Sequence, residues 1–385
     1  MKFETKAIRI QTNRSGHREH STPIFPTSSF VFEDAAQMRQ VFAGEEPGNI
    51  YSRFTNPSVK EFEDKIAALE GVERAMATAT GMAAIFASLL AFLKQGDHLI
   101  ASRAVFGSTF QVLKTTLPEY GIECSFIDPI RIGDWENEIR PNTKMLFLET
   151  PSNPGLAISD LEQAAVFCKK HNLLFNVDNC FATPYLQNPA VYGADIITHS
   201  ATKFIDGQGR VLGGVIAGSK EVIEKVYLFI RRTGASLSPF NAWILSKSLE
   251  TLAVRMDRHC ENALKLAHWL ESHPKTLKVN YPFLISHPQY EVAKKQMRQG
   301  GGILTFEIEG GVEAGARFLD RLKMLSLTAN LGDSRSIASH PASTTHLRIP
   351  IEDRLKIGIT DGLIRISIGL EHIDDIIEDI ENALG

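Results

Sequence analysis

The feature that most constrains the fold is an alternation of short apolar segments with helical segments between Ser58 and Ala217. An amphipathic helix from Ser58 to about Leu69 comes first. The candidate strands that follow are Arg74–Thr78, His98–Ser102, Ile122–Ile127, Met145–Glu149, Leu173–Asp178, Asp195–His199 and Gly213–Ala217. Strands that alternate with helices predict an α/β fold with a mostly parallel central sheet and helices on both faces.

The segments on either side of this region have a different character. Residues 1–55 are rich in Ser, Thr, Pro and Gly, with a short helical patch at Asp34–Phe42, and they predict an extended N-terminal arm. The alternating region, residues 56–248, predicts the large domain.

From about Leu249 the pattern changes to a long helix that ends near Leu270, followed by scattered short strands. The strand candidates are Ile303–Ile308 and Ile364–Ile368, and a terminal helix begins at Ile373. Residues 249–385 therefore predict a smaller C-terminal α+β domain.

Composition excludes several classes of function. The formal net charge is −4, so no basic field is available to bind nucleic acid. The longest apolar run, Met82 to Leu93, is too short to cross a bilayer, and the N-terminal residues lack the apolar core of a signal peptide. The four cysteines have no metal-ligand or disulfide spacing, which predicts a cytoplasmic protein without a metal site.

Two polar groups follow neighbouring candidate strands. Asp178 ends the apolar segment LLFNV, and Ser200, Thr202 and Lys203 follow the segment DIITH. Ligands of open parallel sheets lie at the carboxyl ends of strands, so these side chains are expected to face one crevice. A buried lysine can lose its charge by forming an imine, and a carboxylate can keep a pyridine nitrogen protonated. The alternative is a solvated lysine and a carboxylate at a helix N-terminus.

Two further segments contain groups suited to a phosphate. Gly81 and Met82 open an apolar helix directly after a candidate strand, where free N–H groups and the helix dipole favour an anion. Tyr51 and Arg53 lie in the arm, and arginine is a favoured phosphate ligand. Each segment alone is equally typical of a turn or of exposed surface.

Arg365 lies inside an apolar, strand-like segment, LIRISIG, and therefore needs an anionic partner. The carboxylate of an amino acid would serve, and a protein carboxylate is the commoner partner of a buried arginine.

Taken together, these segments resemble the Cys/Met-metabolism group of fold-type-I pyridoxal 5′-phosphate enzymes, which includes cystathionine γ-synthase, cystathionine γ-lyase, methionine γ-lyase and the homoserine-ester sulfhydrylases. The resemblance runs from about Thr5 to the last helix, and HSATKF after VDN is its most specific part.

The resemblance implies a role for each candidate residue. Lys203 would bind the cofactor covalently and act as the base, and Asp178 would pair with the ring nitrogen. The predicted phosphate ligands are Gly81, Met82, Ser200 and Thr202, with Tyr51 and Arg53 supplied by a neighbouring subunit. Asn153 would lie near the ring hydroxyl, and Arg365 would bind the substrate carboxylate. A shared site implies a homo-oligomer, usually a tetramer built from two dimers.

Two positions depart from most of the family and favour the sulfhydrylase branch. Phe106 stands where most members have a tyrosine over the ring; it can stack but has no hydroxyl for acid–base chemistry. Asn330, a candidate substrate-binding residue, stands where many lyases have serine.

A third segment, Asp206 to Arg210 and the glycines after it, is similar to O-succinylhomoserine sulfhydrylases. Arg210 is a candidate for the succinyl carboxylate of the substrate. Its alternative is an ion pair with Asp206 inside the loop.

The resulting hypothesis is sulfide-dependent γ-replacement on O-succinyl-L-homoserine, giving L-homocysteine and succinate in methionine biosynthesis. The first alternative is cystathionine γ-synthase, which takes cysteine instead of sulfide, and a methionine or cystathionine γ-lyase comes next. From another class, a non-catalytic cofactor-binding protein on the same fold is the remaining alternative.

Overall fold

The computed structural model of the chain describes residues 1–347 and 351–385, except for the side chain of residue 353. Within these residues the helices are α1 (Phe3–Arg9), α2 (Ala35–Ala43), α3 (Pro57–Glu70), α4 (Gly81–Leu90), α5 (Gly107–Gln111), α6 (Leu117–Glu119), α7 (Leu161–His171), α8 (Thr183–Leu186), α9 (Lys220–Thr233), α10 (Pro239–Leu249), α11 (Leu252–Ser272), α12 (Tyr290–Gln296), α13 (Gly311–Arg321), α14 (Ile351–Lys356) and α15 (Ile373–Leu384). The strands are β1 (Arg74–Thr78), β2 (His98–Ser102), β3 (Glu123–Ile127), β4 (Thr143–Glu149), β5 (Leu174–Asp178), β6 (Ile196–Ser200), β7 (Gly214–Gly218), β8 (Thr276–Asn280), β9 (Ile303–Ile308), β10 (Ser326–Leu327), β11 (Ile337–Ser339) and β12 (Leu363–Ser367).

The central sheet has the strand order β1-β7-β6-β5-β4-β2-β3. Its strands are parallel except β7, which is antiparallel to both of its neighbours. Every strand expected between Arg74 and Ala217 is present; the largest shift is at β4, which begins at Thr143 instead of Met145. The prediction of a mostly parallel sheet is confirmed.

Helices cover both faces of this sheet. Successive strand residues point to opposite sides, so each strand contributes side chains to the core on both faces. In β6, Ile197 belongs to the cluster formed with α3, α10 and α11, whereas Ile196 belongs to the cluster formed with α4 and α9. The inner strands are apolar throughout, and Phe147 and Phe175 are completely buried. This two-sided burial explains why these strands are apolar segments without alternation.

The C-terminal part contains a second sheet with the order β10-β11-β12-β9-β8. Its pairs are antiparallel apart from β10 with β11, and α11, α13 and α15 pack against it. The smaller sheet brings β12, and with it Arg365, towards the carboxyl edge of the central sheet. The long helix expected from Leu249 begins at Leu252, and a separate helix, α10, precedes it.

The N-terminal segment is less extended than expected. Helix α1 packs against α3, Ala7 is 1% exposed, and the ring of Phe3 contacts that of Tyr185 at 5.1 Å. The short patch at Asp34 is confirmed as α2, capped by the Asp34 carboxylate. The division at residues 55 and 248 stays a prediction. No helix among the described residues is long and apolar enough to cross a membrane.

Candidate active site

A pocket lies where the carboxyl ends of β4, β5 and β6 meet the start of α4 and the side chain of Arg365. It joins residues that are far apart in the chain, as expected for an open α/β sheet. The residues that line it are Thr80, Gly81, Met82, Ile85, Phe106, Glu149, Asn153, Asp178, Cys180, Phe181, Ser200, Thr202, Lys203, Leu212, Ala329, Leu331, Thr345 and Arg365.

Lys203 reaches into this pocket from the turn that follows β6. Its amine Nζ donates a hydrogen bond to Oδ1 of Asn330 at 2.7 Å. Burial lowers the pKa of the Lys203 amine, because an ammonium group is poorly solvated there. The neutral amine, which is the nucleophilic and basic form, is thereby favoured.

Asp178 and Glu149 form a pair of buried carboxylates on one wall of the pocket. They are the last residues of neighbouring parallel strands and lie in register. Burial raises the pKa of Asp178 to about 6; burial and then the charge of Asp178 raise the pKa of Glu149 well above its usual range. Neither forms an ion pair with a described residue, so the pair can stabilise a cationic ligand.

The start of α4 forms a second wall, suited to an anion. Thr80 caps the helix by accepting from the N–H of Ala83, whereas the N–H groups of Gly81 and Met82 have no described partner. A side chain at Gly81 would collide with Ser200, so glycine allows this helix end to approach β6 closely. The open N–H groups and the nearby Ser200 hydroxyl are suited to a phosphate.

Arg365 forms a third part of the pocket wall. Its guanidinium is 2% exposed and donates to Oδ1 of Asn153 at 2.9 Å and to the carbonyl of Asn330 at 3.4 Å. Burial lowers the pKa of Arg365 to about 10. The described residues place no carboxylate within ion-pair distance of it, so the protein salt bridge considered as the alternative is absent there. The guanidinium can therefore bind the carboxylate of a ligand.

The remaining predicted residues fall into two groups. Phe106, Asn153, Ser200, Thr202 and Asn330 lie in or beside the pocket, although the Thr202 hydroxyl is hydrogen-bonded to the backbone of Gly213.

Tyr51 and Arg53 lie elsewhere, in agreement with a role in another subunit's pocket, which stays a prediction. The Arg53 guanidinium donates to the carbonyl of Arg231 and stacks on the ring of Phe54 at 4.7 Å.

The structure favours the alternative for Arg210, the ion pair within the loop, because Arg210 is not among the residues that line the pocket. Its Nε donates to the Asp206 carboxylate at 3.0 Å, its guanidinium also bonds to Ser248, and its own N–H bonds to Asp206 at 2.7 Å. Asp206 is completely buried and needs this cation, so the ion pair within the loop is the arrangement found.

Sequence reasoning missed Glu149 and Cys180. Glu149 ends a predicted strand in the same way as Asp178, so the rule that polar strand ends face the crevice could have found it. Cys180 follows Asp178 by two residues, and burial raises the pKa of its thiol, which makes the thiol unreactive. No group of three or more potential metal ligands occurs among the described residues.

Comparison with known proteins agrees with this geometry. Residues 4–385 match the family described as Cys/Met metabolism PLP-dependent enzyme. The chain is 47% identical to the O-succinylhomoserine sulfhydrylase of Pseudomonas aeruginosa, over 99% of this chain and 95% of that protein. It is 43% identical to the L-methionine gamma-lyase of Fusobacterium nucleatum subsp. polymorphum, over 99% of this chain and 97% of that protein.

A solved structure carries the cofactor itself. The putative O-acetylhomoserine (thiol)-lyase of Campylobacter jejuni superposes with a TM-score of 0.96 at 36% identity, covering 100% of both chains. That crystal structure contains N'-pyridoxyl-lysine-5'-monophosphate, in which a lysine is joined to the cofactor.

The pocket of the present chain fits pyridoxal 5′-phosphate in its charges. Among the described residues no cation forms an ion pair with the buried carboxylates, and a protonated ring nitrogen would supply one. The open N–H groups of Gly81 and Met82 would bind the phosphate, and the Lys203 amine would bind the aldehyde carbon. Phe106 offers a ring face for stacking.

Proposed function

Because the chain belongs to the Cys/Met metabolism family of pyridoxal 5′-phosphate-dependent enzymes, we propose that it replaces the succinyl ester of O-succinyl-L-homoserine with sulfide. The products would be L-homocysteine and succinate. The observation that carries the proposal is the meeting of Lys203, Asp178 and Arg365 in one pocket. The choice within the family is supported by the 47% identity to an O-succinylhomoserine sulfhydrylase.

Each of these side chains has a part that follows from its position. Pyridoxal 5′-phosphate, when bound, supplies an aldehyde for attachment of the substrate amine and a ring that withdraws electrons from the α-carbon. Asp178 holds the proton on the ring nitrogen, and Arg365 binds the α-carboxylate. The Lys203 amine would take the α-proton and pass it to the bound cofactor, which leaves the amine neutral and able to take a proton from the β-carbon. Succinate would then leave the γ-carbon with its electron pair and hydrosulfide would add there. Lys203 would finally return a proton to the β-carbon and one to the α-carbon, which gives homocysteine.

The active site is proposed to be shared between subunits. Lys203 and Arg365 are the cations that line the described pocket, and they are assigned to the cofactor aldehyde and to the substrate carboxylate. A bound phosphate, which carries nearly two negative charges, would therefore have no cation of its own among the described residues of the pocket. Tyr51 is 40% exposed, and Arg53 is held near it without a carboxylate partner among the described residues. We propose that both complete the phosphate site of a second copy, in a dimer that pairs into a tetramer.

A second candidate within the family is a methionine γ-lyase, which the 43% identity to one such enzyme supports. Phe106 argues against a lyase, because phenylalanine lacks the tyrosine hydroxyl that most of the family places over the cofactor ring. A lyase would release 2-oxobutyrate and ammonia without a second substrate.

A single set of assays tests the proposal. Purified protein with cofactor is given O-succinyl- or O-acetyl-homoserine, each with sulfide or with cysteine, and L-methionine alone. Homocysteine formed fastest from the succinyl ester and sulfide is the expected result, and K203A should form none. Cystathionine as the main product with cysteine, or 2-oxobutyrate from methionine, would replace the proposal with the corresponding alternative.

A further inference from the structure

Glu149 makes hydrogen bonds in the pocket that its charge beside Asp178 does not explain. It is 4% exposed, ends β4 and lies beside Asp178 in register. A buried carboxylate next to a second one is costly unless it is hydrogen-bonded or paired. The burial of Glu149 beside Asp178 therefore needs a physical explanation.

The reason is found in its hydrogen bonds, which clamp two separate loops. Oε2 accepts from the N–H of Phe106 at 2.7 Å, and Oε1 accepts from the N–H of Asn153 at 3.1 Å. Phe106 follows β2 and Asn153 follows β4, so one side chain fixes the backbone of both loops where they meet the pocket.

We propose that Glu149 is a positioning residue that holds Phe106 against the cofactor ring and Asn153 against Arg365. Only a carboxylate side chain offers two equivalent oxygens that can accept from two N–H groups at once. A glutamine of the same shape keeps one acceptor and turns an N–H₂ group towards the other donor.

The clamp links the cofactor to the substrate-binding arginine. Phe106 presents its ring at one side of the pocket, and Asn153 accepts from the Arg365 guanidinium at 2.9 Å. Loosening Glu149 should therefore disturb both ring stacking and the orientation of Arg365. The inference extends the proposed function, and its part that concerns the cofactor depends only on membership of the family.

The test compares E149Q with D379N, a matched control in the other sheet's domain. Asp379 is also a buried carboxylate, 8% exposed, that accepts from the backbone N–H groups of Lys323, Met324 and Leu325. Pyridoxal 5′-phosphate is titrated into the apo form of each variant, and the circular dichroism of the bound cofactor is recorded in the visible range.

We expect E149Q to bind the cofactor about tenfold more weakly, as loss of one charge-assisted hydrogen bond implies, and to have a smaller visible dichroism band. The KM for the homoserine ester should also rise, whereas D379N should change these quantities by less than about twofold even where its melting temperature falls. E149D provides a second variant, because its carboxylate is too short to reach both loops.

Cofactor affinity and dichroism equal to wild type in folded E149Q or E149D would overturn the inference. Cofactor binding is measured without a homoserine ester. A wild-type protein that binds the cofactor but does not use the ester would therefore refute the proposed function alone.

Discussion

Replacing Arg365 with methionine separates a ligand-binding arginine from a structural one. A guanidinium has five N–H donors, and Arg365 uses two of them on described protein groups, one in a long bond of 3.4 Å. The structural comparison is Arg255, 5% exposed, which donates to the carbonyls of Phe204 at 2.6 Å, Ile205 at 3.1 Å and Ser248 at 3.0 Å. Arg255 is thus nearly saturated, whereas Arg365 retains donors for a ligand.

The two variants should differ in stability and in activity. R365M replaces a buried charge that has no carboxylate partner in the described part of the chain, so its stability should stay within about 1 kcal/mol of wild type. R255M leaves the buried carbonyls of Phe204 and Ile205 without their donor, which should cost about 2 kcal/mol or more. Loss of the Arg365 hydrogen bonds to the substrate carboxylate, about 2–4 kcal/mol, should lower kcat/KM by about 30- to 900-fold.

Urea unfolding of the apo forms and steady-state kinetics with O-succinyl-homoserine and sulfide measure these effects. R255M should unfold at lower urea but, where folded, retain most of its kcat/KM. An R365M protein as unstable as R255M, with wild-type kcat/KM in its folded fraction, would refute the assignment of Arg365 to the substrate.

Three further predictions follow from the structure. Burial lowers the pKa of His259 to about 4, below its unfolded value of about 6.5, so the free energy of unfolding falls as the pH falls through this range. Between pH 7 and pH 5, urea unfolding should show a loss of stability that is about 1–2 kcal/mol smaller for H259Q than for wild type. An equal loss in both proteins would show that His259 is not its cause. R210A should lower turnover of succinyl and acetyl esters by the same factor, because Arg210 pairs with Asp206; a selective loss with the succinyl ester would restore the original expectation. Mixed subunits of R53A and K203A, each inactive alone, should regain activity after joint refolding if Arg53 acts in the neighbouring pocket; no recovery would contradict the shared site.

The sequence allowed most of the central sheet and its helices to be predicted, because the strands are buried on both faces and stand out as apolar segments between helices. Helix α1 was missed because seven residues within a polar segment carry too weak a periodicity, and its burial depends on contact with α3. The break between α10 and α11 was missed for a similar reason, since only Glu250 and Thr251 separate two apolar helices.

Within the pocket, residues at strand ends were predictable and contacts between loops were not. Lys203 and Asp178 could be placed by the rule for carboxyl ends of parallel strands. The sequence left two partners for Arg210, a ligand and Asp206. Spacing alone could not decide between them, because it does not show that Asp206 is completely buried. The bonds of Glu149 to Phe106 and Asn153 join the end of β4 to two loops whose paths only the folded chain defines.

The cations of the pocket are hydrogen-bonded to neutral amides and not to its carboxylates. Lys203 donates to the Asn330 side chain, and Arg365 donates to Asn153 and to the Asn330 carbonyl, so neither cation is neutralised by Asp178 or Glu149. A direct ion pair would stabilise the empty pocket and occupy both partners. Amide partners satisfy the donors without cancelling the charge, and each ion therefore stays available to the part of a ligand that has the opposite charge.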